Sequence, residues 1–376
     1  MNQTENTRLI KHFNTTTLEY RLIHYRFALV GLQLGTKVRF GVYTDEMRHQ
    51  SVLTLAPLRI SFLGGGTDLP DFYNTHTGKV VSAAINKYVY VHVKRHDPLF
   101  QERYRVSYSQ IEYSDSRDQI QNGIARSCLE LLNIDEPLQI STSADIPASS
   151  GLGSSSSFAV ALLLGLHELL GQSPSAAQLA EEAAHVEIGM LKEPIGKQDQ
   201  YSAAFGGLNQ YIFEKDGRVT IKSLPLSDET VERFFGNSLL IWTEEARSAS
   251  AILEDQRQNM DTNIKGLLEL TKLADEFTEA LVAPLLDFSR LGSLIKQGWD
   301  LKQNFSNLIS TNQSEKIFTL LESNKSLGYK LLGAGGGGFV YSIFEQQSLK
   351  VLPKFSDWKT FIPSLDRAGA RVASLI

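Results

Sequence analysis

From Ala144 to Ser157 the chain reads Ala-Asp-Ile-Pro-Ala-Ser-Ser-Gly-Leu-Gly-Ser-Ser-Ser-Ser, then passes at once into an apolar run, Phe158 to Leu170. Four consecutive serines bring hydroxyls and uncrowded backbone N–H groups to the start of a helix. Unpaired donors and the macrodipole favour an anion there. Gly151 and Gly153 let the backbone come close to such an anion and take up positive φ. The pattern is that of a loop that cradles phosphate. A helix that is merely capped needs one serine, not four.

Phosphate loops are of several kinds. No Gly-x-x-x-x-Gly-Lys-Ser/Thr occurs in the chain, and neither His-Arg-Asp nor Asp-Phe-Gly does, so the P-loop and protein-kinase classes are excluded. Gly333, Gly335 and Gly338 match Gly-x-Gly-x-x-Gly nominally. Phe339-Val340-Tyr341-Ser342-Ile343-Phe344 follows, a strand-like run where a dinucleotide site needs a helix.

A carboxylate stands out on helical grounds. With Ser173 as N-cap and Pro174 at the first position, the spacing predicts a helix to about Met190. Leu179, Ala183, Val186 and Met190 form its apolar stripe, and Glu187 falls roughly 80° from Leu179, on the small-residue flank. A carboxylate so close to a buried face needs a partner.

Three glycine-bearing segments lie far apart: Ala56 to Asp68, containing Arg59 and Gly64-Gly65-Gly66-Thr67-Asp68; Pro147 to Ser157; and Lys330 to Phe339. In that order they resemble the three signature motifs of the GHMP kinases, a superfamily that includes galactokinase, homoserine kinase and mevalonate kinase. The resemblance runs from about Ala56 to the C-terminus. Gly64 to Pro70, Val81 to Tyr90 and Gly196-Lys197-Gln198-Asp199-Gln200-Tyr201 are similar to the sugar-kinase branch that includes D-glycero-D-manno-heptose 7-phosphate kinase. Galactokinases carry Glu-His where this chain has Gly65-Gly66.

What the resemblance implies is an α/β two-domain fold with the active site in the interdomain cleft. Residues 1–50 would be an extension, 51–205 an N-terminal domain and 206–376 a C-terminal one. The activity implied is ATP- and Mg²⁺-dependent phosphorylation of the anomeric hydroxyl of a heptose 7-phosphate. Pro147, Ser150, Gly151, Leu152, Gly153, Ser154, Ser155 and Ser156 would hold the nucleotide phosphates, with Ser155 and Glu187 on the metal. Asp199 would remove or polarise the acceptor proton beside Arg59. Gly66, Thr67, Asp68, Gly335 and Gly336 would lie against the substrate. Arg247 corresponds to the arginine of a family segment and would contact the substrate phosphate, although Glu244 replaces a glycine there. A kinase for another sugar, such as fucose or galactose, and a silent sugar-phosphate binder are the alternatives.

The elements that must position these residues read as α/β. Strands are expected at 53–63, 79–94, 104–108 and 138–143, then helices at 122–132 and 155–170. Strands at 207–213 and 238–242 would open a second region, and helices dominate from Ser250 to about Asn324. At 376 residues and a net charge of −5, the chain is long enough for two domains and carries no basic stretch for nucleic acid. Cys128 is the single cysteine and reads as a buried thiol. The apolar run at 158–170 is too short to span a bilayer, and no secretory signal is read, so a cytoplasmic enzyme acting on a small sugar phosphate is expected. His92 and His96 carry no zinc signature. Residues 1–46 lack sustained periodicity. They are either an extension or sequence upstream of the true start, with Met47 favoured as that start.

Overall fold

The structure, a computed structural model, describes residues 50–245 and 249–375. Arg247 and the segment 1–46, with the readings attached to them, lie outside these residues. The first strand among the described residues, β1 (Ser51–Leu63), is buried almost throughout, as its near-continuous apolar sequence requires. It pairs along its whole length with β2 (Gly78–Arg95), with register shifts at Pro57/Leu58 and Ser61/Leu63 that bracket Arg59. After β3 (Tyr104–Ser107) and β4 (Ile111–Ser114) comes helix α1 (Gly123–Leu131), where Cys128 is buried. Burial pushes that thiol well above its ordinary range.

Strand β5 (Leu138–Ala144) leads into the serine loop and α2 (Ser154–Leu169). Helix α3 (Ala176–Ala184) follows, capped by Ser175, whose Oγ accepts from the Gln178 N–H at 3.2 Å. The expected cap, Ser173, stands too early. Ser175 is extended at ψ 158° and lies three residues before the donor it satisfies, so Pro174 precedes the cap. The helix does not run on as α to Met190 either: His185–Met190 is a π segment with a Leu191 N–H to Val186 C=O bond. Such a bulge re-aims side chains at a site, and Glu187 sits within it.

Helix α4 (Gln198–Phe205) and strand β6 (Leu208–Phe213) come next. Strand β6 was expected to open the second region, yet it pairs with residues 78–83 of β2 and then with β7 (Val219–Ser223). The order of the larger sheet is β12-β1-β2-β5-β3-β4, with β6 and β7 branching from β2. Its last member, β12 (Arg371–Leu375), pairs with residues 52–55 of β1.

The second sheet, β11-β8-β10-β9, is built from β8 (Ser238–Trp242), β9 (Gly328–Leu331), β10 (Phe339–Ile343) and β11 (Thr360–Phe361). Helices α5 (Asp228–Gly236), α6 (Ala249–Gln258), α7 (Met260–Leu281), α8 (Phe288–Gln303) and α9 (Asn312–Ser323) lie between β7 and β9 in the chain, and α7 packs on β1 and β2 of the larger sheet. Neither β7 nor α5 was foreseen; both are short, and β7 is largely exposed. Phe62 joins the two layers. Its ring lies 5.4 Å from Phe234, 5.5 Å from Phe277 and 5.3 Å from Tyr341. Such aromatic pairs contribute about 0.5–1.5 kcal/mol each beyond their area. No helix among the described residues is long and apolar enough to cross a membrane.

Candidate active site

The serine loop docks on the free part of β1. Strand β12 covers β1 only to Leu55, so the Arg59 N–H is left to bond Leu152 C=O at 3.0 Å. Ser157 Oγ donates to Pro57 C=O at 2.8 Å and fixes the start of α2 against the same strand. The N-cap of α2 is Gly153, at φ 77°, and no side chain caps the helix. Its first N–H groups therefore stay open to an anion. On the other side the loop meets the third glycine segment backbone to backbone: a Cβ on Gly151 would lie 2.6 Å from Leu332 C=O. Only glycine fits.

Arg59 is 5% exposed and forms a fork on Asp199, Nε to Oδ1 and Nη2 to Oδ2, both at 2.6 Å. Its Nη1 donates to Gly151 C=O at 2.6 Å. Asp199 is presented by the first turn of α4 and faces the same open cleft, of about 410 Å³, as Arg59 and the serine loop.

Glu187 is buried at 1% exposure. Ser155 Oγ donates to its Oε1 at 2.6 Å and Gln200 Nε2 to its Oε2 at 2.6 Å. Burial pushes this carboxyl above the usual range, against the opposing pull of hydrogen bonds from Ser155, Ser156 and Gln200.

Asp68 does not cap the short helix Pro70–Tyr73. The cap position is Leu69, and the carboxylate turns the other way. It accepts from the Gly66 N–H at 3.0 Å and the Gln198 N–H at 3.2 Å. A Cβ on Gly196 would lie 2.0 Å from Asp68 Oδ2, so glycine there is a condition of the arrangement. Burial, and then the nearby Asp199 charge, raise the Asp68 carboxyl.

Of the expected residues, the structure brings Arg59, Gly66, Asp68, Gly151, Gly153, Ser154, Ser155, Glu187, Asp199 and Gly335 to one cleft. Pro147, Ser150, Leu152, Ser156, Thr67 and Gly336 do not line it. Ser150 instead offers its carbonyl to the Phe339 N–H, and the Gly336 N–H is taken by Ile309. Thr67 is buried in the glycine turn, donating to Gly64 C=O at 2.8 Å.

Two lysines in the cleft were missed. Lys330 Nζ donates to Ser61 C=O at 2.9 Å and Phe62 C=O at 2.8 Å. Lys302 Nζ donates to Gly333 C=O at 2.6 Å. Burial lowers both amines, Lys330 strongly and Lys302 to about 8. A signal existed for Lys302: it continues the stripe Phe288, Leu291, Ile295 and Trp299 of an amphipathic helix, where a lysine has no solvent reason to be.

Two protein-family models match the chain: the GHMP kinases N terminal domain over residues 121–207 and the GHMP kinases C terminal domain over 277–357. A D-glycero-alpha-D-manno-heptose 7-phosphate kinase of Campylobacter jejuni is 28% identical over 308 residues, covering 78% of this chain and 89% of the relative. An L-fucokinase/L-fucose-1-P guanylyltransferase of Bacteroides fragilis is 25% identical over 342 residues, 81% of this chain but 35% of that protein. Among solved structures, a D-glycero-D-manno-heptose 1-phosphate kinase from Bacteroides thetaiotaomicron has a TM-score of 0.69 at 21% identity, covering 86% of this chain and 99% of the other.

Proposed function

The chain belongs to the GHMP kinases, and we propose that within them it transfers the terminal phosphoryl group of ATP to the anomeric hydroxyl of D-glycero-D-manno-heptose 7-phosphate, giving the 1,7-bisphosphate. The observation that carries a phosphoryl transfer is the convergence of the Arg59–Asp199 fork, the open α2 N-terminus and the Ser155–Glu187 pair on one cleft. Support for the heptose comes from the Campylobacter jejuni relative and from Gly65-Gly66, which leave room where galactokinase-like chains carry side chains.

In this reading the open N–H groups of α2 and the Ser154 hydroxyl receive the nucleotide phosphates. Asp199 orients the acceptor hydroxyl and takes its proton as the new O–P bond forms and the ADP oxygen leaves. An anomeric hydroxyl is the most acidic of a sugar's alcohols, which suits a carboxylate as acceptor. Arg59 holds that carboxylate in place and offsets charge on the transferring group.

Ser155 and Glu187 fit Mg²⁺. One carboxylate and one hydroxyl suit an ion that takes its other oxygens from phosphate and water. When bound, the ion would neutralise phosphate charge. A buried carboxylate with a raised pKa is the kind of group a cation stabilises.

The test is an ADP-release screen across D-glycero-D-manno-heptose 7-phosphate, L-fucose, D-galactose, D-mannose and mevalonate, with the phosphorylated carbon located by NMR. The heptose phosphate should lead in kcat/KM. Comparable or faster turnover of L-fucose would favour the second reading, for which the Bacteroides fragilis relative speaks.

A further inference from the structure

Gly65 stands where three polar side chains from three elements meet. A Cβ on Gly65 would lie 3.6 Å from Ser61 Oγ, 3.7 Å from Gln198 Nε2 and 3.9 Å from Lys302 Nζ. All three residues line the cleft, and Ser61 and Lys302 are 6% and 9% exposed. Ser61 Oγ and Gln198 Oε1 are buried without any hydrogen-bond partner. Lys302 Nζ has one carbonyl partner, Gly333, and two N–H bonds to spare. Buried polar atoms left unmatched at a cleft wall are costly unless a ligand completes them.

We propose that Ser61, Gln198 and Lys302 form a binding point for one hydroxyl of the acceptor sugar, seated over Gly65 beside the hydroxyl that is phosphorylated. Its place follows from the chain. Ser61 is two residues from Arg59 on the same face of β1, and Gln198 directly precedes Asp199. The chemistry selects a hydroxyl over a phosphate. Gln198 Oε1 needs a donor, whereas Lys302 and Gln198 Nε2 offer donors. A hydroxyl supplies both an acceptor and a proton, while a phosphate dianion would leave Gln198 Oε1 unmatched. Asp68, bonded to the Gln198 N–H, supplies an accepting carboxylate for a neighbouring hydroxyl. A side chain at position 65 would occupy the space, so glycine there sets which sugars enter.

This inference rests on the acceptor being a sugar, as proposed above, but not on which sugar. The experiment uses the full chain and whichever sugar of the panel the wild type turns over fastest, together with its singly deoxygenated analogues. Steady-state kinetics are measured for the wild type, Lys302→Met and Gly65→Ala. The contacts at Gly65 are ordinary in length and its φ is not left-handed, so alanine is accommodated by the fold. Both variants should raise KM for the sugar about tenfold or more, with KM for ATP within about twofold. In the wild type, one deoxy analogue should lose about tenfold in kcat/KM; in Lys302→Met that same analogue should lose little further. That coupling at a single hydroxyl supports the proposal. Additive losses at every hydroxyl overturn it, and so does an unchanged sugar KM in both variants. Turnover of a sugar other than the heptose phosphate would overturn the heptose reading alone. Turnover of no sugar at all would overturn both.

Discussion

Arg59 and Asp199 are joined at two points, Nε to Oδ1 and Nη2 to Oδ2, while the third arm of the same guanidinium holds the Gly151 carbonyl. One cation thus fixes both the carboxylate that would orient the acceptor and the loop that would hold the donor. The distance between the two halves of the reaction is set by a single planar group.

Asp199→Asn tests the carboxylate. The amide can accept from one arm of Arg59 but turns an N–H toward the other. We expect kcat to fall about 10²–10⁴-fold, with the Kd for ATP within a few-fold, as for loss of a positioned base. A kcat within a few-fold of wild type would make Asp199 structural.

Arg59→Lys keeps the charge and loses the fork. Misplacement of a reacting group by about 1 Å costs on the order of 10²-fold, and kcat should fall by that order. Calorimetric titration should show nucleotide binding weakened as well, because the Gly151 contact is lost. A drop in kcat with nucleotide affinity unchanged would mean that the link to the loop is not used.

Glu187→Gln should raise the Mg²⁺ concentration needed for half-maximal rate. It also has a signature without metal. The carboxyl is raised by burial in the folded state, so its contribution to stability is present below the ordinary carboxylate range and lost as pH climbs through the folded value. At neutral pH and without Mg²⁺, the Gln variant should melt at the same temperature as wild type or higher. Wild type should gain more in Tm when Mg²⁺ and nucleotide are added.

Lys302 should make sugar affinity fall on the alkaline side. Its neighbours are Asp68 and Asp199, which favour the cation, and Arg59 and Lys330, which oppose it; burial brings the amine down to about 8. The cation is therefore lost as pH rises through about 8, and kcat/KM for the sugar should decline there. Stability moves the other way: the folded value lies below 10.5, so the cost of burying the charge is relieved between about 8 and 10.5. A pH profile of Lys302→Met that keeps the wild-type alkaline limb would exclude this group as its source.

The strands at 51–63 and 238–242 were legible as continuous apolar runs buried on both faces, and the strand at 138–144 as an alternating one. An α-helical angle put Glu187 beside a buried face, where the structure also has it, but the turn that carries it is π and not α. What escaped was set by tertiary contact. The π turn at 185–190 has no marker in residue type, and the partner of β6 is chosen by an edge of β2 that local sequence does not reveal. Lys330 opens the third glycine segment, where nothing in the sequence marks it as buried; in the fold it ties β9 to two carbonyls at the end of β1. The partition of the serine loop into groups that face the cleft and groups that anchor it also depended on where β1 offered free backbone.

The pairing of β12 with β1 ties residues 371–375 to residues 52–55. During synthesis, the first strand emerges from the ribosome long before the strand that covers its edge. Until then Val52 to Leu55 present open N–H and C=O groups on an apolar ribbon, the form that invites pairing with another chain. That stretch of the β1 edge is covered only once residues 371–375 have been made. Contacts of such sequence separation form slowly, so the yield of folded enzyme should respond to chaperone supply more sharply than its final stability would suggest.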